Sequence, residues 1–415
     1  MKIEASLSED IPASMLLNRA VLDNPYPFYA RLRETAPVWQ VPGTEIFLVT
    51  RHALLEEAAG RVEDFSSNMR GVVYRRLNGK PARLTHGGLL QVLATADPPA
   101  HTLHRRAVFP DLVAKRMAAM APEIEQVADD CIDRLLRAGS GDFMAIVANP
   151  LPITVVSKLV GFRERDINRL LQGAFDSTAV VGGTLTLFQL AACMLRSFVT
   201  HRWIAGQLRT ASTVGDNILA SVKRNVNNGT LREAEGRAIL HILLAAGGES
   251  TTSLLGNAVR ILADDPALQQ TLRAQPELIP NFMEEVLRLE SPFRHHLRCA
   301  TRDTTLGGVS IPAGAMVLMF WSAGNRDAAV FDRADEIDLA RPRRHMTFGK
   351  GIHMCVGAPL ARLEGQIVLR KLLARTRHIA LDASRPPRWV SSLQVRRYEQ
   401  LPICVTGSSS AERET

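Results

Sequence analysis

The chain reads as a mainly α protein with a small β region in a single domain, and three observations predict this. Apolar residues at helical spacing dominate from about 97 to 290, a second strong helix covers 356–375, and strand-like runs are short and confined to about 36–51, 305–320 and 376–405. Neither an internal repeat nor a Pro/Gly/Ser-rich linker divides the 415 residues, so residues 1–415 are expected to form one body.

Taken in order, Asn24-Pro25-Tyr26-Pro27 opens a short helix through Leu32, and the runs Val38 to Val41 and Ile46 to Thr50 suggest a small β-hairpin unit. Between Phe65 and Leu93 the sequence is rich in Gly, Arg and Ser without periodicity, which predicts a long functional loop. After Asp97-Pro98-Pro99 the helical body begins. Its expected breaks lie near Gly139-Ser140-Gly141, Gly182-Gly183, Ser212 to Gly215 and Asn227 to Gly229. Strand-like pieces return at Thr305 to Ile311 and Met316 to Phe320, followed by an irregular stretch to Thr347. The helix Val356 to Arg375 then leads into a strand-rich end and a polar tail, Gly407 to Thr415, expected to be disordered.

Composition limits the function classes. With 46% apolar and 22% charged residues the chain can bury a large core. Five scattered cysteines, odd in number and without a C-x-x-C pair, argue against a disulfide framework and for a reducing cytoplasm. Glu4, Glu9 and Asp10 interrupt any leader-like apolar stretch, and no membrane span is expected. The formal charge of +8 is spread along the chain and aromatics make up only 5%, so an acidic protein partner fits at least as well as nucleic acid.

The most informative stretch is Phe348-Gly349-Lys350-Gly351-Ile352-His353-Met354-Cys355-Val356-Gly357. Its F-x-x-G-x-x-x-C-x-G spacing arises by accident in roughly one in a thousand chains of this composition. A lone cysteine is usually a small buried residue. This one sits in a glycine-bearing turn ahead of a helix, where N–H groups and the helix's positive end favour a thiolate. The loop resembles the haem-binding loop of the cytochromes P450, which makes Cys355 the expected axial ligand of a haem b iron, with Phe348, Gly349 and His353 lining the cofactor.

Further segments match that family in order and spacing from about Asn24 to Arg397. Glu285-Val286-Leu287-Arg288 matches its E-x-x-R, implying a buried network completed by Arg341. Ala246-Gly247-Gly248-Glu249-Ser250-Thr251 resembles the oxygen-activating segment, with Ala246 over the haem. There the glycine pair lets the helix bulge around dioxygen, and Glu249 and Ser250 pass protons. Serine replaces the family's usual threonine, which leaves the hydroxyl less restrained, and Thr251 could share its task. His101 and Arg105, in Asp97-Pro98-Pro99-Ala100-His101-Thr102-Leu103-His104-Arg105, together with Arg298 and His353, match the family's propionate ligands, whereas His104 and Arg106 are expected to be solvated.

The pocket is expected to include Ile242, Ala245, Phe293, Arg294, His295 and His296. The polar Arg294-His295-His296 cluster can bind a substrate anion, or His296 can reach a propionate. Phe65 to Leu93 and Phe175 to Phe198 are candidate lids.

The resemblance thus implies the triangular, helical haem-enclosing prism of the family and insertion of one atom of dioxygen into a small organic substrate. Electrons would come ultimately from NAD(P)H through a ferredoxin or flavodoxin and its reductase, docked on a basic rim of Lys350, Arg343, Arg344, Arg106 and Lys115. A peroxide-driven variant and a non-catalytic haem-thiolate sensor are the other readings left open.

Overall fold

The computed structural model describes residues 11–85, 90–112, 114–163 and 167–407. Its body is a stack of helices: α1 (Tyr26–Thr35), α2 (His52–Gly60), α3 (Ala100–Val108), α4 (Ala121–Ala138), α5 (Pro150–Val160), α6 (Ile167–Val181), α7 (Leu187–Thr210), α8 (Ile218–Asn227), α9 (Glu233–Asp264), α10 (Pro266–Ala274), α11 (Ile279–Leu289) and α12 (Ala358–Arg375). Helices end where the sequence offers no way to continue. Gly139 and Gly161 close α4 and α5 at positive φ, a conformation that other residues adopt at a steric cost.

The long helix α9 is the axis of the body and packs against α5, α6, α7, α11 and α12. By length and composition it is apolar enough to cross a membrane, where the sequence led us to expect no span. Leu240, Leu244, Leu254, Leu255, Val259 and Leu262 are instead buried in the main core. Gly247 and Gly248 explain how closely it approaches α5. A Cβ on Gly247 would lie 2.7 Å from Val156 Cγ2, and one on Gly248 would lie 2.9 Å from Ile153 Cδ1. The glycine pair therefore serves helix packing in an unbroken α-helix rather than the bulge expected from the sequence.

The principal sheet has the order β1 (Val38–Gln40), β2 (Ile46–Val49), β10 (Met316–Met319), β7 (His296–Ala300), β3 (Phe65–Ser66). Only the β2–β10 pair is parallel. Both faces are covered: Ile46 and Leu48 enter one apolar cluster, Phe47 and Val49 another. This is why the run is apolar throughout rather than alternating.

The segment 65–93, expected to be a loop, instead carries β3 and an antiparallel hairpin, β4 (Gly71–Arg75) with β5 (Pro81–Thr85), turning at Asn78-Gly79 with Gly79 at φ 79°. Two further pairs, β8 (Thr304–Leu306) with β9 (Val309–Ile311) and β12 (Arg388–Trp389) with β13 (Tyr398–Gln400), are antiparallel. Near the C-terminus, β11 (Thr376–Leu381), β14 (Pro402–Gly407) and β6 (Ser140–Asp142) form a three-stranded sheet. Gly407 thus belongs to a strand, and residues 408–415 of the expected disordered tail lie outside the described residues.

Candidate active site

Cys355 is presented by a loop that its own backbone holds closed. The Cys355 N–H donates to the Phe348 carbonyl over 2.8 Å, the Gly349 N–H donates to Met346 over 2.8 Å, and Gly349 and Gly351 take φ of 73° and 69°. Those two turns need glycine. Phe348 is clamped from outside by Arg362, whose guanidinium lies 4.5 Å from the ring and makes a two-point contact (2.7 and 2.9 Å) with Glu284 of α11.

Cys355 keeps exposed surface although many atoms crowd its sulfur. Burial raises the Cys355 pKa, outweighing the N–H groups of Gly357 and Ala358 and the charges of Arg105 and Arg362. The helix behind it starts at Ala358 rather than Val356. A metal cation bound at the sulfur would favour the thiolate.

Around this loop four of the expected residues converge. The His101 ring of α3 lies 4.4 Å from that of His353, and Arg105 Nη1 donates to the carbonyls of Ile352 and Met354 at 3.1 Å each. Arg298 enters from β7, 8% exposed, and among the described residues no carboxylate lies within 4 Å of it. Burial lowers its pKa to about 10. Burial, then Arg298, His101, His296 and Arg105, push His353 down to about 3, and its Nδ1 is buried without a hydrogen-bond partner. The nearby carboxylate, Asp97, is engaged by Ser66 Oγ and the Ser67 N–H. Two guanidinium groups and two imidazoles, one with an orphaned ring nitrogen, are hydrogen-bond donors that two propionates would satisfy. His104 belongs elsewhere: it is buried, 3.6 Å from Glu235, and not solvated as expected.

On α9, Ala246 is exposed in mid-helix and Ser250 is half-exposed, so this stripe is not closed over by packed side chains. Ser250 Oγ donates to the Ala246 carbonyl over 2.7 Å, whereas Thr251 is packed away at 3% exposure. Glu249 is held on both oxygens. Arg397 Nε donates to Oε1 and Thr178 Oγ1 to Oε2, each over 2.7 Å, and the Arg397 guanidinium lies 3.9 Å from the centre of the Phe175 ring. These groups wall a cavity of about 180 Å³ with Leu185 and Val395. Arg397 and Thr178 were not anticipated from the sequence.

Of the expected pocket residues, Ile242 and Ala245 are half-buried on α9, and Phe293 is bridged to Val395 beside the cavity. Arg294 and His295 are not brought there. Arg294 is 1% exposed and donates to the Leu22 carbonyl over 2.7 Å, and His295 packs on Phe320 with ring centres 4.9 Å apart. His296 accepts from Trp321 Nε1 over 2.6 Å on the Arg298 side.

Behind the loop, Arg288 pairs with both oxygens of Glu285 (2.8 and 2.9 Å) and Arg341 adds a third contact at 3.2 Å, as the motif implied. Lys350 of the expected basic rim is ion-paired with Glu56. Arg106, Lys115, Arg343 and Arg344 are exposed.

The helical body thus presents Cys355 from a glycine-bearing loop ahead of α12, and an exposed Ala246 with a half-exposed Ser250 on its long helix α9. A family model described as cytochrome P450 matches residues 207–393. Cytochrome P450 144 of Mycobacterium tuberculosis is 40% identical over 390 residues, 92% of this chain and 89% of that protein. Beta-dihydromenaquinone-9 omega-hydroxylase of Mycobacterium bovis is 33% identical over 93% of this chain and 77% of its own length. Among solved structures, cytochrome P450 CYP109Q5 from Chondromyces apiculatus superposes with a TM-score of 0.80 at 28% identity, covering 95% of this chain and 98% of its own. The chain belongs to the cytochrome P450 family, and its enzyme class is monooxygenase.

Proposed function

We propose that this chain inserts one atom of dioxygen into a small, largely apolar organic substrate, with electrons drawn ultimately from NAD(P)H through a separate redox protein. The observation that carries this reading is the gathering of His101, Arg105, Arg298 and His353 around the Cys355 loop. Cys355 would hold haem iron, and the two guanidinium groups and two imidazoles its propionates. When bound, the haem supplies oxygen activation.

The chain's own residues do the rest. Ser250, tethered to the Ala246 carbonyl, holds a hydroxyl proton at the open surface of α9. Glu249 is the adjoining acid and meets the cavity wall through Thr178 and Arg397; in a relay it would pass a proton to Ser250 Oγ as the serine hydroxyl releases its own proton toward the exposed surface of α9, and the carboxylate so formed would return to Arg397. Phe175, Leu185, Val390 and Val395 give the cavity an apolar wall beside the polar Thr178, Glu249, Ser392 and Arg397, and its small size suits a compact ligand or the reacting end of a longer one.

On the thiol side, exposed Leu103, Phe109, Ile352 and Met354 lie among segments carrying Arg106, Lys115, Arg343 and Arg344. An apolar centre within a basic rim suits an acidic ferredoxin or flavodoxin.

Turnover of a hit from a Soret-shift ligand screen, under labelled dioxygen with a reconstituted ferredoxin and reductase, tests the reading. One labelled oxygen atom per product is expected. Product formed only with added peroxide, or no product from any tight ligand, would overturn it.

A further inference from the structure

We infer that the chain docks on an anionic bilayer surface through helix α7 and the β4–β5 hairpin, the face that borders the substrate cavity. Water-soluble proteins seldom leave several large apolar side chains together in solvent, and where they do the patch marks an interaction surface. Here the hairpin tip puts Leu77 at 95% exposure, and α7 adds Phe188 at 88%, Leu195 at 71%, Phe198 at 58% and Val199 at 55%. Positions 188, 195 and 199 share one face of the helix at the spacing of 3.6 residues per turn, so these side chains form a stripe. The hairpin lies against the start of that stripe. The Arg75 N–H donates to the Leu185 carbonyl over 2.8 Å and Arg75 Nε to the Thr184 carbonyl over 3.2 Å, three or four residues ahead of Phe188.

Charge narrows the occupant. Residues 71–85 contain Arg75, Arg76, Lys80 and Arg83, residues 187–210 contain Arg196, Arg202 and Arg209, and neither segment contains an Asp or Glu. Arg196 is paired with Asp176, and Arg83 lies 3.6 Å from Glu45. Arg76, Lys80 and Arg202 are exposed with no carboxylate in ion-pair range among the described residues. Two copies of this chain meeting here would oppose cation to cation with nothing to neutralise them. A bilayer of anionic lipid answers both features, because headgroup phosphates pair with the cations while Leu77 and Phe188, protruding rather than recessed, enter the acyl boundary. No spanning segment is involved. Thr184 and Leu185, which the hairpin contacts, also line the cavity, so, resting on the reading of that cavity as the substrate pocket, docking here would bring a sparingly soluble substrate in the lipid near the pocket wall.

Co-sedimentation of the haem-loaded protein with vesicles tests the docking independently of turnover. Vesicles of phosphatidylglycerol and phosphatidylcholine should carry the protein down at low salt, and pure phosphatidylcholine vesicles should do so far less. The double variants Leu77→Ser/Phe188→Ser and Arg76→Glu/Lys80→Glu should each weaken partitioning by roughly tenfold or more while keeping the wild-type Soret spectrum. Absence of binding to phosphatidylglycerol vesicles, or binding that neither variant changes, overturns the inference. A dimer in sedimentation velocity that Phe188→Ser disperses would assign the face to a second copy instead. Binding that appears only after removal of residues 1–10 would assign it to that segment.

Discussion

At the scale of single residues, the site gathers under-paired bases beside a thiol whose pKa its crowded surroundings raise. Each is costly alone, and a dianionic cofactor with a cationic centre relieves both at once. On α9, Ser250 has the hydroxyl that remains at an open surface while Thr251 is buried. Ser250→Ala should therefore raise peroxide release per NAD(P)H consumed several-fold, with substrate binding little changed. Coupling equal to wild type would reassign the hydroxyl's role. Cys355 and its partners were legible in the sequence because local spacing is dictated by what the loop must do. Arg397 was not: it stands 148 residues from Glu249, and nothing in Arg396-Arg397 announces which guanidinium meets that acid. Arg294 and His295 misled for the converse reason, since polar residue type suggested a pocket while their backbone directs them into the core.

At the scale of elements, the cysteine loop stays in place because α11 and α12 hold it through Glu284, which accepts from Arg362 at 2.7 Å and lies 3.0 Å from His345. Burial pushes the Glu284 carboxyl up, but the Arg362 and His345 hydrogen bonds outweigh it and hold it at about 2 against an ordinary 4.5. A folded-state value below the unfolded one means the stabilisation is complete above about 4.5 and is lost as pH falls towards 2. Urea titrations at pH 5 and pH 3 should show a larger loss for wild type than for Glu284→Gln, and equal losses would remove Glu284 from the account. Long helices and the β1–β2 unit could be read from periodicity alone. The β4–β5 hairpin was hidden by its Gly and Arg content although Asn78-Gly79 is a hairpin turn signal. The β7 strand was hidden because Arg298 points inward, where a strand pattern calls for an apolar residue.

At the scale of the whole molecule, the Glu285–Arg288–Arg341 network joins α11 to the irregular stretch ahead of the cysteine loop, with Arg288 also donating to the carbonyls of Asn325 and Glu336. Removing Glu285 leaves two buried guanidinium groups facing each other. Glu285→Ala should cost about 3–5 kcal/mol and yield little haem-loaded protein. Recovery of normally loaded variant at wild-type stability would contradict that role. The triangular family architecture was legible because motifs occur in order along nearly the whole chain, whereas the direction each lid surface faces was not, being a property of packing between distant segments. The central claim is that Cys355 sulfur binds haem iron as an anion, and the Soret absorption of the ferrous, carbon-monoxide-treated protein tests it most directly. The band is predicted at the red-shifted position of thiolate ligation and to be lost in Cys355→Ser. A wild-type band at the position of histidine- or thiol-ligated haem, or purified protein without porphyrin, would contradict it.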